Sequence, residues 1–205
     1  MLENDFGLIL ASSSPRRIEL LKRLEVQFTV IPFTIDESHI DYVEGESPYE
    51  YSEALAISKC MDVANKYPNS FVIGADTTVE LEGLGRLGKP KDEEDAFNIL
   101  KSLSGKQHNV ITGICIYSPI TKKIKSDYDI SLITFKTLSD DVIKKYIATG
   151  EPMDKAGAYA IQGIGKQLVS EHKGSLSNVV GFPLALVYMM LCDCGFMSSV
   201  RFIDI

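Results

Sequence analysis

The sequence predicts an α/β protein built on a mixed sheet. Short apolar runs with strand character alternate with stretches opened by helix N-caps, and some strand runs follow one another with no helix between them. No repeat, low-complexity tract or Pro/Gly/Ser-rich linker interrupts the chain, so nothing in composition marks a boundary within residues 1–205, which are taken as one domain.

Leu8 to Ala11 is a short apolar run suited to a buried strand, and Ser14-Pro15 supplies an N-cap and an N1 proline for a helix reaching Leu24. Val26 to Ile31 reads as a second strand. Ser47-Pro48-Tyr49-Glu50 is a capping box with proline at N1, starting a helix that ends near Lys66 ahead of Pro68. Phe71 to Ala75 reads as a central strand that delivers Asp76 to its C-terminal mouth, the place where open α/β sheets bind ligands. A hairpin follows over Val79 to Leu87. Asp92 then caps a helix with Glu93, Glu94 and Asp95 in its first turn, an apolar face of Ala96, Ile99, Leu100 and Leu103, and Gly105 beyond its end. Val110 to Tyr117 and Ile124 to Phe135 form a long strand pair, Ser139 caps a helix closed by Gly150 and Pro152, and a last helix starts at Pro183.

The 205 residues, 45% hydrophobic and 24% charged, suffice for a sizeable core. A formal net charge of -7 and the lack of any run of five basic residues argue against nucleic-acid backbone as the main partner. The N-terminal stretch has acids at Glu3 and Asp5 and no apolar h-region, so a cytoplasmic protein is expected. The most apolar stretch, Phe182 to Cys194, falls short of the roughly 20 residues a membrane span needs. Cys60, Cys115, Cys192 and Cys194 lack zinc-site spacing and read as reduced core thiols.

Small anionic ligands need only a local cluster of cations and helix N-termini. Ser12-Ser13-Ser14-Pro15-Arg16-Arg17 puts hydroxyls, backbone N–H groups and two guanidiniums at one helix start, although first-turn cations oppose the helix dipole. Phosphate binding would account for that placement; the alternative reading is that Arg16 and Arg17 are solvated first-turn residues. Glu37, within Ile35-Asp36-Glu37-Ser38, and Asp76, within Gly74-Ala75-Asp76-Thr77-Thr78, are hard oxygen donors suited to sharing one Mg²⁺ if the fold joins them. Alone, Glu37 reads as a surface-loop acid, and Lys59 and Lys89 as solvated lysines. Beside a carboxylate-held ion, the two lysines would neutralise a departing pyrophosphate.

Three lookalikes fail on context. Gly83-Leu84-Gly85-Arg86-Leu87-Gly88 fits the dinucleotide pattern but lies in a hairpin, with no ribose-binding acid about 20 residues on. Gly163-Ile164-Gly165-Lys166-Gln167 resembles a P-loop but has Ala160 for the first glycine and Gln167 for the magnesium-binding hydroxyl. His39, His108 and His172 have no nucleophile motif to serve, and Asp76-Thr77-Thr78 lacks the second acid of a phosphomonoesterase D-x-D.

Taken in order, these segments resemble the Maf family of septum-formation inhibitors and nucleotide pyrophosphatases, which is related in fold to the inosine triphosphatases. The resemblance rests on Leu10 to Arg17 with Glu19-Leu20-Leu21, on Gly74-Ala75-Asp76-Thr77, Gly88-Lys89-Pro90 and Leu103 to His108, and on Lys155 to Gly163 and Asn178 to Leu184. Phe182 stands where leucine is usual. The resemblance implies an elongated twisted sheet flanked by helices, two lobes and a central cleft. It implies hydrolysis of nucleoside triphosphates to monophosphate and pyrophosphate with Mg²⁺ or Mn²⁺, by a homodimer. It makes Asp76 the general base or metal-linked acid, Glu37 a metal ligand, and Arg16, Arg17, Lys59 and Lys89 the triphosphate cradle, beside Ser12 and Ser14. Thr77 and Gln162, with Arg16, match positions tied to base selection. The run Pro152 to Tyr159 looks like the subgroup acting on dTTP and UTP. A 7-methyl-GTP pyrophosphatase and a nucleotide-sensing or cell-division regulatory binding protein are the alternatives.

Overall fold

The structure, a computed structural model, describes residues 6–36 and 47–197. Strands β1 (Leu8–Leu10), β2 (Thr29–Val30), β3 (Phe71–Leu81), β4 (Gly85–Leu87), β5 (Gln107–Ser118), β6 (Lys123–Phe135) and β7 (Val169–Lys173) make one mixed sheet. Its order is β2-β1-β3-β5-β6-β7, with β4 paired to β3. The helices are α1 (Pro15–Lys22), α2 (Pro48–Ala64), α3 (Glu93–Leu103), α4 (Asp140–Ile147), α5 (Leu176–Val180) and α6 (Leu184–Asp193). The expected α/β class with a mixed sheet flanked by helices is therefore found. No described helix is long and apolar enough to cross a membrane.

The chain divides into two compact units. The first holds the described residues through Asp76, with Thr112–Asp129 and the residues from Gly181 onward. Here β1 pairs in parallel with both β2 and β3, setting Leu10 opposite Val30 and Ile73. Helix α2 opens with the expected capping box: Tyr49 N–H donates to Ser47 Oγ, and Ser47 N–H to Glu50 Oε2. Its buried face carries Ala56, Cys60, Val63 and Ala64 against Ile9, Ala11, Val72, Cys115 and Tyr117. Two glycines allow that approach. A Cβ at Gly74 would lie 2.3 Å from the Ala56 carbonyl oxygen and 2.6 Å from the Cys60 nitrogen, and one at Gly113 would lie 2.4 Å from the Ser52 oxygen. Helix backbone thus rests directly on strand backbone, which only residues without a side chain permit.

The second unit holds Thr77–Ile111 and Ile130–Val180. Its hairpin pairs Val79 with Leu87 and Leu81 with Gly85, so the glycine-rich segment is a tight antiparallel turn, as its sequence context indicated. Asp92 caps α3 by accepting the Asp95 N–H at 2.8 Å, and the buried face is Ala96, Ile99, Leu100 and Leu103 as expected. These residues join Ile133, Phe135, Ile143, Tyr146 and Tyr159 in one core.

Two expectations are corrected. Strand β3 does not end at Asp76 but runs on to Leu81, because Thr77, Thr78 and Val79 are β-branched and keep the extended backbone; Asp76 sits in mid-strand. The second strand shrinks from Val26–Ile31 to Thr29–Val30, an exposed pair that among the described residues has β1 as its sheet neighbour. Residues 151–168, to which the sequence assigned no element, contain three short 3-10 turns followed by β7, which adds to β6 across a bulge at Thr134 and Phe135. Of the four thiols, Cys60 and Cys115 are buried, whereas Cys192 and Cys194 are half-buried; all four are free.

Candidate functional site

In the first unit, α2 on Gly74 brings Lys59 to Asp76. The ammonium donates to Asp76 Oδ1 at 2.6 Å, with Lys59 only 4% and Asp76 only 8% exposed. Lys59 Nζ also lies 4.8 Å from the centre of the Phe33 ring. A lysine and an aspartate this deeply buried are rare unless paired, so the solvated reading of Lys59 does not hold.

The start of α1 is hydrogen-bonded onto the same strand. Ser12 is buried, and its Oγ accepts the Ser14 N–H at 3.2 Å, tightening the turn out of β1. Ser14 occupies the N-cap position of α1, but its side chain caps no helix N–H. Arg16 and Arg17 are half-buried in the first turn. Arg17 Nη1 donates to the Ala75 carbonyl at 2.7 Å and its Nε to the Gly181 carbonyl at 2.9 Å. The segment Ser12 to Arg17 is thereby anchored to the residue before Asp76.

Glu37 lies outside the described residues. The chain leading towards it is tied to α2, where Thr34 N–H donates to Asp62 Oδ2 at 2.7 Å and Lys66 Nζ contacts both Thr34 Oγ1 and Asp62 Oδ1. Burial opposes ionisation of Asp62, but the Thr34 N–H and the Lys66 ammonium outweigh it and hold the carboxyl below its ordinary range.

Thr77, Lys89 and Gln162 belong to the second unit. Thr77 continues β3 and is half-buried; Lys89 and Gln162 are exposed. The Gly88 carbonyl before Lys89 accepts the Gly157 N–H at 3.0 Å. Gly157 has a φ of 71°, and a Cβ there would come within 3.0 Å of Val79. Gln162 rides on a loop clamped at both ends by residues the sequence did not single out. Tyr146 Oη accepts the Ala160 N–H at 3.1 Å, and Glu151 accepts the Ile164 and Gly165 N–H groups at 3.1 and 2.8 Å. Burial raises the Glu151 pKa, but the Tyr146 hydroxyl, these N–H groups and Lys155 bring it below its ordinary value. The clamp also explains the failed P-loop likeness, since a glutamate carboxylate takes the N–H groups that a phosphate would use. No local pattern marks Glu151, because its partners lie 13 and 14 residues away. His108 is likewise buried, its Nε2 2.8 Å from Tyr159 Oη, and burial lowers its pKa to about 4.

Among the described residues no group of three or more His, Cys, Asp and Glu side chains forms a metal site by itself. Asp76 nonetheless suits an ion such as Mg²⁺, which is commonly held by one or two carboxylates together with substrate phosphates and water.

A family model described as Maf-like protein matches residues 7–194. The dTTP/UTP pyrophosphatase of Koribacter versatilis is 46% identical over 92% of this chain and 95% of its own length. That of Aquifex aeolicus is 42% identical over 94% and 97%, and that of Clostridioides difficile 48% identical over 87% and 90%. Among solved structures, the Ham1 protein of Staphylococcus aureus aligns with a TM-score of 0.44 at 20% identity, covering 80% of this chain and 91% of its own.

Proposed function

Because the chain belongs to the Maf-like family, we propose that it is a metal-dependent nucleoside triphosphate pyrophosphatase. It cuts dTTP and UTP between the α- and β-phosphates and releases the monophosphate and pyrophosphate. The observation that carries this reading is the buried Lys59–Asp76 pair at 2.6 Å, with the hydroxyl- and arginine-bearing start of α1 hydrogen-bonded to the carbonyl just before Asp76. A buried carboxylate, a buried ammonium and a helix N-terminus on one strand suit a triphosphate with its counter-ion. The dTTP/UTP names of the relatives support the choice of pyrimidine nucleotides.

In this proposal Asp76 Oδ1 is held by Lys59, and Oδ2 takes the proton of the water attacking the α-phosphorus in line. Ser12, Ser14, Arg16 and the α1 N-terminus receive phosphate oxygens. Lys59 and Lys89 offset charge on the departing pyrophosphate, and Thr77, Gln162 and Arg16 contact the nucleoside. Mg²⁺ or Mn²⁺ held by Asp76 and Glu37 would supply Lewis-acid charge at the phosphates. The protein is proposed to act in the cytoplasm as a homodimer; a monomeric mass by light scattering would remove the dimer.

The test is a panel of dTTP, UTP, CTP, ATP, GTP and 7-methyl-GTP with either metal, separating pyrophosphate from orthophosphate. Pyrophosphate from dTTP and UTP is expected, and chelation should abolish it. Turnover of 7-methyl-GTP alone would overturn the pyrimidine assignment, and no turnover by folded protein would favour a nucleotide-sensing or regulatory role. Asp76→Asn should lower kcat about 10³-fold, roughly 4 kcal/mol of transition-state stabilisation; near-normal turnover would remove Asp76 from the chemistry.

A further inference from the structure

The sequence suggests a phosphate-binding role for Arg17, and two of its guanidinium N–H groups donate to backbone carbonyls. We infer that Arg17 is a positioning residue: its guanidinium replaces a missing sheet hydrogen bond at Ala75 and fixes the peptide that carries Asp76. The inference rests on the proposed role of Asp76 and adds the element that aims it.

The vacancy arises from how β1 ends. Strands β1 and β3 pair in parallel, and the last rung along this edge is the Ala11 N–H on the Ile73 carbonyl at 2.8 Å. Successive carbonyls facing the same neighbour are two residues apart in a strand, so the next acceptor in line is Ala75. Had β1 continued, a backbone N–H two residues beyond Ala11 would have reached it. The chain instead turns through Ser12 to Ser14 into α1, and Pro15 at the helix start has no N–H. A buried strand carbonyl does not stay unpaired. Arg17 Nη1 supplies the donor at 2.7 Å, a short distance typical of a charged donor.

The second arm of the fork fixes the first. Arg17 Nε donates to the Gly181 carbonyl at 2.9 Å, in the turn between α5 and α6, where Gly181 has a φ of 107° and Phe182 is fully buried. A guanidinium is planar, and its N–H directions are set relative to one another, so holding two carbonyls fixes its orientation as a point charge would not. The Ala75–Asp76 peptide is thus held on one side by Arg17, while the Asp76 carboxylate is held by Lys59 at 2.6 Å. The anomaly of a cation in the first turn of a helix has its reason here: the group serves the strand edge.

Arg17→Lys keeps the charge and loses the fork. It is expected to lower kcat for dTTP by about 10–100-fold while KM stays within about threefold, the pattern for an interaction that counts only in the transition state. A raised KM with unchanged kcat would make Arg17 a phosphate ligand and overturn the proposal, as would unchanged values of both. A second measurement needs no variant. The Nε–Hε signal of Arg17, assigned through bonds from its backbone, should exchange slowly with solvent and keep its shift when pyrophosphate is added to the wild-type protein. A fast-exchanging signal, or one that moves on pyrophosphate binding, would refute the anchoring. If the wild type released no pyrophosphate from any nucleotide, the functional proposal would fall, and the resonance would still decide whether Arg17 is anchored.

Discussion

Replacing Lys59 with methionine isolates the energy of the buried pair that marks the site. Lys59 and Asp76 are 4% and 8% exposed and 2.6 Å apart, so removing the ammonium leaves a carboxylate with almost no water to solvate it. Breaking such a pair from one side costs about 3–5 kcal/mol. Asp76 retains slight exposure, which places the expected loss near the lower bound, at about 3 kcal/mol. Methionine keeps the apolar stem and a favourable contact with the Phe33 ring, so lost packing contributes little. The double variant Lys59→Met with Asp76→Leu removes both charges at similar volume and should return to within about 1 kcal/mol of wild type. Urea unfolding followed by far-ultraviolet circular dichroism, at pH 7 without divalent metal, measures all three proteins; metal is left out because binding to the folded state would add stability of its own. A single variant within about 1 kcal/mol of wild type, or a double variant no more stable than the single, would refute the reasoning. The double variant should also be inactive despite its stability, separating the cost of the pair from its use.

The remaining predictions concern the packing around the site and the second unit. Gly74→Ala should cost at least about 1–3 kcal/mol and lower activity, since its Cβ would fall 2.3 Å from the Ala56 oxygen and push α2, with Lys59, off the strand; thermal melting and turnover measure both. Glu151→Gln should destabilise by about 1–3 kcal/mol at pH 7, because a carboxamide cannot accept both backbone N–H groups as the carboxylate does. The folded pKa of Glu151 is depressed, so its contribution is present above the ordinary carboxylate value and fades as pH falls through the folded one; the variant's deficit, measured by urea unfolding across pH, should shrink in acid. His108 has a folded pKa of about 4 against an ordinary 6.5, so the unfolded chain takes up a proton that the fold refuses. Stability should therefore fall by about 3 kcal/mol as pH drops from 6.5 to 4, and His108→Gln should flatten that part of the profile in urea titrations; an unchanged slope would discard the buried neutral imidazole.

The sequence determined by itself whatever rests on neighbours along the chain. The Ser47 capping box, the Asp92 cap with its acidic first turn, the buried face of α3 and the hairpin over Val79 to Leu87 all depend on contacts within a few residues, and all are found. Asp76 was legible as an acid following a buried apolar run, and Ser12 to Arg17 as an unusual helix start. Only the tertiary structure decided what these groups touch. Lys59 reads as a solvated lysine until Gly74 lets α2 lie on β3 and puts its ammonium on Asp76. Arg17 reads as a phosphate ligand, and only the fold shows that its guanidinium also reaches the Ala75 carbonyl beyond the end of β1. The end of β3 was misplaced because β-branched residues carry an extended backbone past an acid as readily as before it. Glu151 was invisible, since a carboxylate that holds backbone N–H groups 13 and 14 residues away leaves no periodic trace. Periodicity and capping are local and survive in one dimension; buried ion pairs and side-chain substitutes for ladder hydrogen bonds exist only once distant backbones have been brought within about 3 Å of one another.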